Sequence, residues 1–148
     1  MSQSLSKVSI HIIFSTKNRE PLLNNNIAWE THSYIATILH SIKSYVYIVG
    51  GTSDHIHIAC TLPRTITQSD LVNKIKSTSS KMLKHRGIKN FYWQNGYGIF
   101  SVSQSRINTL VKYIKNQKEH HKTKSFKEEY CDFLDKHKIE FNNEFLWD

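Results

Sequence analysis

Apolar and polar side chains alternate near the start of the chain, as they do along a β-strand whose two faces differ in polarity. The apolar positions are Val8, Ile10, Ile12 and Phe14. The polar positions on the other side are Ser9, His11 and Ser15. The pattern predicts a first strand with one wetter face.

Apolar residues recur at helical spacing in three later segments. The spacing predicts helices over 28–44, around Leu71 and Ile75, and from about Ser105 through Leu110. Short apolar runs between these helices predict strands over 45–49, 55–62, 91–93 and 99–102. The last predicted helix is followed by a charged, helical tail.

This order of elements, β-α-β-β-α-β-α, predicts an α+β fold. It suits an antiparallel sheet with helices on one face, in the ferredoxin-like or RRM-like arrangement. A chain of 148 residues has room for one modest core, so we expect a single domain over residues 1–148.

Composition is that of a folded domain, with 39% hydrophobic and 22% charged residues. No apolar run approaches the roughly 20 residues of a membrane span, and the start of the chain does not resemble a signal peptide. Cys60 and Cys131 are the only cysteines, too few for a disulfide framework. We therefore expect a cytoplasmic protein with no membrane partner.

Positive charge is concentrated in the middle of the chain. The net charge is +8, and residues 71–118 contain ten Lys and Arg but no Asp or Glu. Such a segment favours a polyanionic partner. The candidate phosphate contacts are Lys74, Lys76, Lys81, Lys84, Arg86 and Lys112. Aromatic residues that could stack on unpaired bases are Phe91, Tyr92, Trp93, Tyr97 and Phe100.

Two histidines two residues apart carry the first candidate chemistry. On the predicted third strand, His55, His57 and the small Ala59 share one face. Two imidazoles placed in this way can hold one metal ion. An ordinary pair of strand histidines is the alternative, because so short a pattern is common by chance.

A tyrosine and a glutamine four residues apart supply the second candidate chemistry. Tyr113 and Gln117 lie on the same side of the predicted helix, at the border of its apolar stripe, where a side chain faces a cleft. His120 lies near the same edge and competes with Gln117 as a third metal ligand. Glu119 points to a different face.

Several segments together resemble the single-tyrosine HUH transposases of small bacterial insertion sequences, which include the REP-associated tyrosine transposases. The matching segments are GGTSDHIH at 50–57, LVNKIK at 71–76 with Ser79-Ser80, WQNGYG at 93–98, FSVS at 100–103, Tyr113-Ile114 with Gln117, and the closing segments 126–130, 133–134, 139–140 and 146–147. They cover nearly the whole chain in the order of the family.

The resemblance implies a mechanism. His55, His57 and Gln117 would bind Mg²⁺ or Mn²⁺, and Tyr113, on the C-terminal helix, would attack the scissile phosphate. The products would be a 5′-phosphotyrosine and a free 3′-OH, so rejoining would need no nucleotide cofactor. The implied substrate is single-stranded DNA with hairpins at insertion-sequence ends, in a bacterial, nucleoid-associated setting.

The resemblance also implies a homodimer in which the tyrosine helix of one subunit acts on the other subunit. The apolar tail residues Phe141, Phe145, Leu146 and Trp147 need a cover, either from a second subunit or from their own domain. Two other functions stay open. One is another metal-dependent nuclease or phosphoesterase, and the other is a domesticated or non-catalytic protein that only binds DNA or RNA hairpins.

Overall fold

The computed structural model of the chain describes residues 2–148 and contains one antiparallel sheet of four strands. The strands are β1 (Ser9–Ser15), β2 (Val46–Gly51), β3 (His55–Thr61) and β4 (Gly98–Ser101). Their order across the sheet is β2-β3-β1-β4. The two central strands are therefore β1 and β3.

Five α-helices within residues 2–148 surround the sheet. They are α1 (Asn25–Ser41), α2 (Gln68–His85), α3 (Ile107–Lys115), α4 (Gln117–His120) and α5 (Phe126–Lys136). With this strand order, β1-α1-β2-β3-α2-β4 is the ferredoxin-like arrangement, so the predicted α+β fold is confirmed. Among the helices of residues 2–148, none combines the length and apolar character that a membrane crossing requires.

One face of the sheet, here called the apolar face, is covered by α1 and α2. Its strand residues are Ile10, Ile12, Phe14, Ile56, Ile58 and Cys60. The helices contribute Ile35, Leu39, Leu71 and Ile75, among others. Every one of these side chains is buried, and together they form the main hydrophobic core.

The opposite face, here called the histidine face, carries His11, His55 and His57 and is also covered. Helix α3 packs on it through Leu110 and Ile114, and α5 packs through Phe126, Tyr130 and Leu134. Helices therefore lie on both faces rather than on one. The predicted wetter face of β1 is wrong, because α3 and α5 exclude water from it and all seven residues of the strand are buried.

Two glycines let the helices approach the histidine face closely. Gly50, His57, Ile13 and Gly98 form one row across the four strands. A Cβ at Gly50 would lie 2.7 Å from Ile114 Cγ2 of α3, and a Cβ at Gly98 would lie 2.7 Å from Tyr130 Cε2 of α5. The glycines at both ends of the row thus admit the two helices on either side of His57.

Two predicted elements differ in the structure. Residues 91–93 are not a strand: only Trp93 forms an isolated bridge, to Thr16, because the rings of Phe91 and Trp93 pack into the core instead. Of the five aromatic residues considered for base stacking, Phe91, Trp93 and Phe100 are buried and cannot stack on DNA. The first helix begins three residues earlier than predicted, with Asn24 at the N-cap position, where its backbone carbonyl accepts from the Ala28 N–H.

Candidate active site

His55 and His57 lie side by side at the centre of the histidine face, and both are fully buried. His55 Nδ1 is 2.7 Å from Asp54 Oδ1 and 2.9 Å from Thr52 Oγ1. His57 Nδ1 is 2.8 Å from His11 Nε2. Because partners hold both Nδ1 atoms, both Nε2 atoms face a common centre. Such partners fix the ring orientation of metal-binding histidines.

The tyrosine helix brings Gln117 to the same centre. Gln117 is almost fully buried, and its Oε1 lies 2.9 Å from His55 Nε2 and 2.9 Å from His121 Nε2. The chain bends at Asn116, between α3 and α4, so Gln117 begins a new short helix instead of continuing α3. This bend turns the segment after Tyr113 inward and places both Gln117 and His121 against His55.

Glu129 on α5 closes the cluster, and sequence reasoning missed it. Its Oε1 is 2.9 Å from His57 Nε2, 3.3 Å from His121 Nε2 and 3.7 Å from His55 Nε2. Ser125 caps the start of α5, because its hydroxyl accepts from the Glu128 N–H and donates to Glu128 Oε1. This start directs Glu129 inward in the first helical turn, whereas Glu128 faces solvent.

Tyr113 lies beside this carboxylate. Its hydroxyl donates a hydrogen bond to Glu129 Oε2 and lies 3.2 Å from His120 Nε2. Burial and the Glu129 carboxylate raise the pKa of Tyr113 above its ordinary value. The phenol is therefore protonated at neutral pH and needs a proton acceptor before it can act as a nucleophile.

The charge states in the cluster suit metal binding. Burial lowers the pKa of His57 to about 4, so the ring is neutral at pH 7 and keeps a lone pair. Burial alone would raise the pKa of Glu129, but hydrogen bonds with His121 and His57 hold it well below its ordinary range. The cluster thus combines the neutral imidazole of His57 with a carboxylate anion, and the hydrogen bond to that carboxylate outweighs burial and raises the pKa of His121 above its ordinary value.

Four residues of the cluster fit a divalent ion. One atom from each of His55, His57, His121 and Glu129 lies within 4.8 Å of all the others. Imidazole nitrogen and carboxylate oxygen are ligands for Mn²⁺ and related divalent metals. Of the predicted ligands, His55 and His57 belong to this group, and the Gln117 amide oxygen adjoins it.

The other predicted candidates lie at different distances from the cluster. His120 is next to it, 3.2 Å from Glu129 Oε2, but on the Tyr113 side. Glu119 is exposed and pairs with Lys122 at 2.8 Å. Glu129 is one of several carboxylates after the tyrosine and His121 one of several histidines, so the sequence contained these residue types but helical spacing could not single them out.

Most of the predicted phosphate contacts are on the other side of the molecule. Five of the six belong to α2 or the residue after it, against the apolar face, and only Lys112 is on α3. Lys76 Nζ donates to the carbonyls of Gln94, Asn95 and Gly96, and burial lowers its pKa to about 8. Lys84 lies over the ring of Tyr92, and Arg86 pairs with Glu30.

A comparison with protein families decides what kind of protein this is. The family described as "Transposase IS200 like" matches residues 4–117. The chain belongs to the IS200-like transposase family. The matched residues include His55, His57, Tyr113 and Gln117, whereas His121 and Glu129 lie beyond them.

Two solved structures share the fold of this transposase. A Deinococcus radiodurans protein described as a transposase candidate has a TM-score of 0.64 at 19% identity, over 79% of this chain and 98% of its own. A REP-associated tyrosine transposase bound to a REP hairpin has a TM-score of 0.61 at 19% identity, over 82% of this chain and 74% of its own. No protein of curated function matches the sequence significantly.

Proposed function

We propose that this transposase cleaves and rejoins single-stranded DNA at hairpin-marked insertion-sequence ends through a 5′-phosphotyrosine intermediate. One observation carries the proposal. The Tyr113 hydroxyl bonds to Glu129, and the same carboxylate contacts His57 and His121. A nucleophile and a set of metal ligands therefore meet at one side chain. The proposal includes a bacterial, cytoplasmic and nucleoid-associated protein.

The cleavage step would proceed at Tyr113. Its oxygen forms a bond to the scissile phosphorus, the bond from phosphorus to the 3′ oxygen breaks, and the 3′ oxygen takes a proton from solvent to become a free hydroxyl. The phenol proton passes by way of Glu129 Oε2, which already accepts its hydrogen bond, to solvent, because a carboxylate with so low a pKa does not keep a proton. Joining is the reverse reaction with a new 3′-OH, so it needs no nucleotide cofactor.

The residues that would hold Mg²⁺ or Mn²⁺ are His55, His57, His121 and Glu129, with Gln117 beside them. When bound, the ion would polarise the scissile phosphate and stabilise negative charge on the leaving oxygen. Asp54 and His11 position the two histidines from behind. Helices α3 and α5 exclude water from the ligands, which strengthens every electrostatic interaction among them.

A covalent-trapping experiment tests this function. The substrate is labelled single-stranded DNA taken from the palindromes that flank the gene, incubated with Mg²⁺ or Mn²⁺. We expect a labelled protein adduct that survives denaturing electrophoresis, and no adduct with Tyr113→Phe or with duplex DNA. The matched control is Tyr34→Phe, because Tyr34 lies on α1, across the sheet from the candidate site. An adduct of normal yield from Tyr113→Phe would contradict the mechanism, and hairpin binding without any adduct would favour a pure binding protein.

The proposal includes a homodimer with exchange of the tyrosine helix. In the single chain, Tyr113 contacts the Glu129 of its own chain, and Trp147 packs on Phe126 and Tyr130. Phe145 remains 63% exposed, which leaves an apolar surface for a second subunit. An exchange of α3 would form the Tyr113 contact between subunits instead of within one.

Complementation tests the exchange. His55→Ala and Tyr113→Phe chains are each expected to be inactive, but a heterodimer of the two regains one complete site if the tyrosine acts in trans. Cleavage by the heterodimer, measured as adduct yield, would support exchange. Verified heterodimers that remain inactive would contradict it.

A further inference from the structure

A second groove adjoins the cluster, and the steps above do not use it. It has a volume of about 840 Å³ and lies between α1, the residues before β3 and the α4–α5 turn. This volume is within the range of about 300–1,000 Å³ that is usual for ligand sites. The lining residues that matter here are Trp29, His32, Thr52, Asp54, Lys118 and His121.

This groove, here called the Trp29 groove, is separate from the groove that contains Tyr113. The Tyr113 groove has a volume of about 560 Å³ and is lined by Glu129 and His120, among others. The two grooves share no lining residue. Glu129 lines the one and His121 lines the other, so the grooves open on the metal-ligand cluster from two sides.

The wall formed by α1 has the chemistry of a base-binding surface. Trp29 is 71% exposed, although tryptophan is usually well buried. His32, three residues further on the same helix face, has a buried Nε2 atom with no hydrogen-bond partner among residues 2–148. An exposed indole offers a stacking platform, and the His32 ring lines the groove beside it.

The opposite wall carries positive charge. Lys118 and Lys122 both line the groove. Lys122 pairs with Glu119, while Lys118 has no ion pair within the described part of the chain. Asp54 also lines the groove, but its carboxylate is bound to His55 Nδ1 and Thr52 Oγ1. A phosphate in the groove would therefore meet a cation at Lys118.

We propose that the Trp29 groove binds an unpaired nucleotide of single-stranded DNA, on the side of the scissile phosphate that carries the leaving 3′ oxygen. The base stacks on Trp29 and contacts His32, and a phosphate lies near Lys118. The side follows from the geometry of displacement at phosphorus, in which the entering and leaving oxygens lie in line. Since Tyr113 enters from its own groove, the 3′ oxygen departs toward the other. This assignment of a side rests on the proposed function.

A binding measurement tests the groove without requiring cleavage. The probe is the labelled oligonucleotide dT20, titrated by fluorescence anisotropy against protein in the Tyr113→Phe background. We expect Trp29→Ala to weaken binding roughly tenfold and Trp29→Phe to weaken it less than about threefold, because stacking needs an aromatic face. The matched control, Tyr34→Ala, removes another exposed aromatic of α1 and should bind like the parent. Trp29 and Tyr34 lie outside the core, so both variants should fold.

Affinity for dT20 that is the same in Trp29→Ala and His32→Ala as in the parent would overturn the proposal. The side is tested with a cleavable strand that carries 4-thiothymidine directly 5′ or directly 3′ of the cleavage point. We expect crosslinks to residues 25–41 from the 5′ position alone. Crosslinks from the 3′ position would overturn the assignment. If binding of dT20 depends on Trp29 but the parent protein forms no tyrosine adduct, the proposed cleavage activity is wrong while the proposal of nucleotide binding in the Trp29 groove is supported.

Discussion

The two faces of the sheet use the same strands in opposite ways. On the apolar face, Ile56 and Ile58 of β3 pack among aliphatic side chains that need only the right shape and volume. On the histidine face, His55 and His57 of the same strand are as deeply buried, but each of their ring nitrogens has a polar side chain within hydrogen-bond distance. Burial alone therefore does not distinguish a core residue from a site residue. The chemical kind of the contacting side chain distinguishes them.

Neighbouring residues on β3 should give the largest contrast between the faces. Ile58→Ala is expected to destabilise the protein by about 2–5 kcal/mol, because it leaves a cavity in the core. His57→Ala is expected to reduce adduct formation at least about a hundredfold while hairpin binding is kept, because metal ligation and backbone contact lie on different residues. Urea unfolding, adduct yield and hairpin affinity measure the effects. Normal cleavage by His57→Ala would remove the contrast.

Adjacent glutamates on α5 should separate the cluster from the solvent-exposed surface. Glu129→Gln keeps the shape of the side chain but removes its charge, so we expect Mn²⁺ affinity to fall about 10- to 100-fold. Glu128→Gln, at an exposed position, should bind Mn²⁺ like the parent. Calorimetric titration of the DNA-free protein with Mn²⁺ gives both values. Equal affinities for the two variants would exclude Glu129 as a ligand.

Glycine substitutions should show how closely α5 must lie on the histidine face. Gly98→Ala would bring a Cβ to 2.7 Å from Tyr130 Cε2, so we expect a loss of about 1–3 kcal/mol in unfolding free energy and weaker Mn²⁺ binding. Gly96→Ala is the matched control, because its nearest contact would be at 3.6 Å, to Gln94 Nε2. A Gly98→Ala protein with parental stability and Mn²⁺ affinity would show that the close approach is unnecessary.

A buried histidine on α1 should make stability depend on pH. Burial lowers the pKa of His32 to about 4, whereas the unfolded chain binds this proton below about pH 6.5. The unfolding free energy should therefore fall as the pH drops from about 6.5 to about 4. His57, with its pKa also lowered to about 4, acts in the same direction.

The test compares urea unfolding at pH 7 and pH 5. His32→Gln should reduce the pH-dependent loss by about 1–2 kcal/mol, because glutamine binds no proton in either state. His40→Gln, at an exposed position of the same helix, is the control. A parental pH dependence in His32→Gln would mean that His32 takes up its proton in the folded state as well.

Replacement of single Lys or Arg residues should have the smallest effects, and it compares the two sides of the sheet as DNA-binding surfaces. Lys74 and Lys81 lie on α2, whereas Arg106 lines the Tyr113 groove and Lys118 the Trp29 groove. If a residue contacts a phosphate, its replacement by alanine should reduce the slope of log affinity against log salt concentration by about one. Replacement of Lys74 or Lys81 should reduce this slope for a blunt hairpin, and replacement of Arg106 or Lys118 should reduce it for dT20. Slopes unchanged for both probes would reject both cation sets.

Secondary structure followed from local pattern, and so did part of the site. Alternation placed His55, His57 and Ala59 on one face of a strand, as the structure has them. The four-residue spacing of Tyr113 and Gln117 assumed one continuous helix, and the structure breaks that helix at Asn116. The error at 91–93 has a local cause too. A short aromatic run has the same composition whether it forms a strand or fills a core, and the packing of Phe91 and Trp93 decided between the two.

The sequence by itself determined the α+β order, the histidine pair and the family resemblance, because these depend on residue type and on spacing within single elements. Only the tertiary structure decided that α3 and α5 cover the second face, and that His121 and Glu129 join the histidines of β3. Glu129 lies 72 residues from His57 in the chain, at a hydrogen-bond distance of 2.9 Å. No periodicity within one element encodes such a contact, because it depends on the docking of separate helices on the row of Gly50, His57 and Gly98.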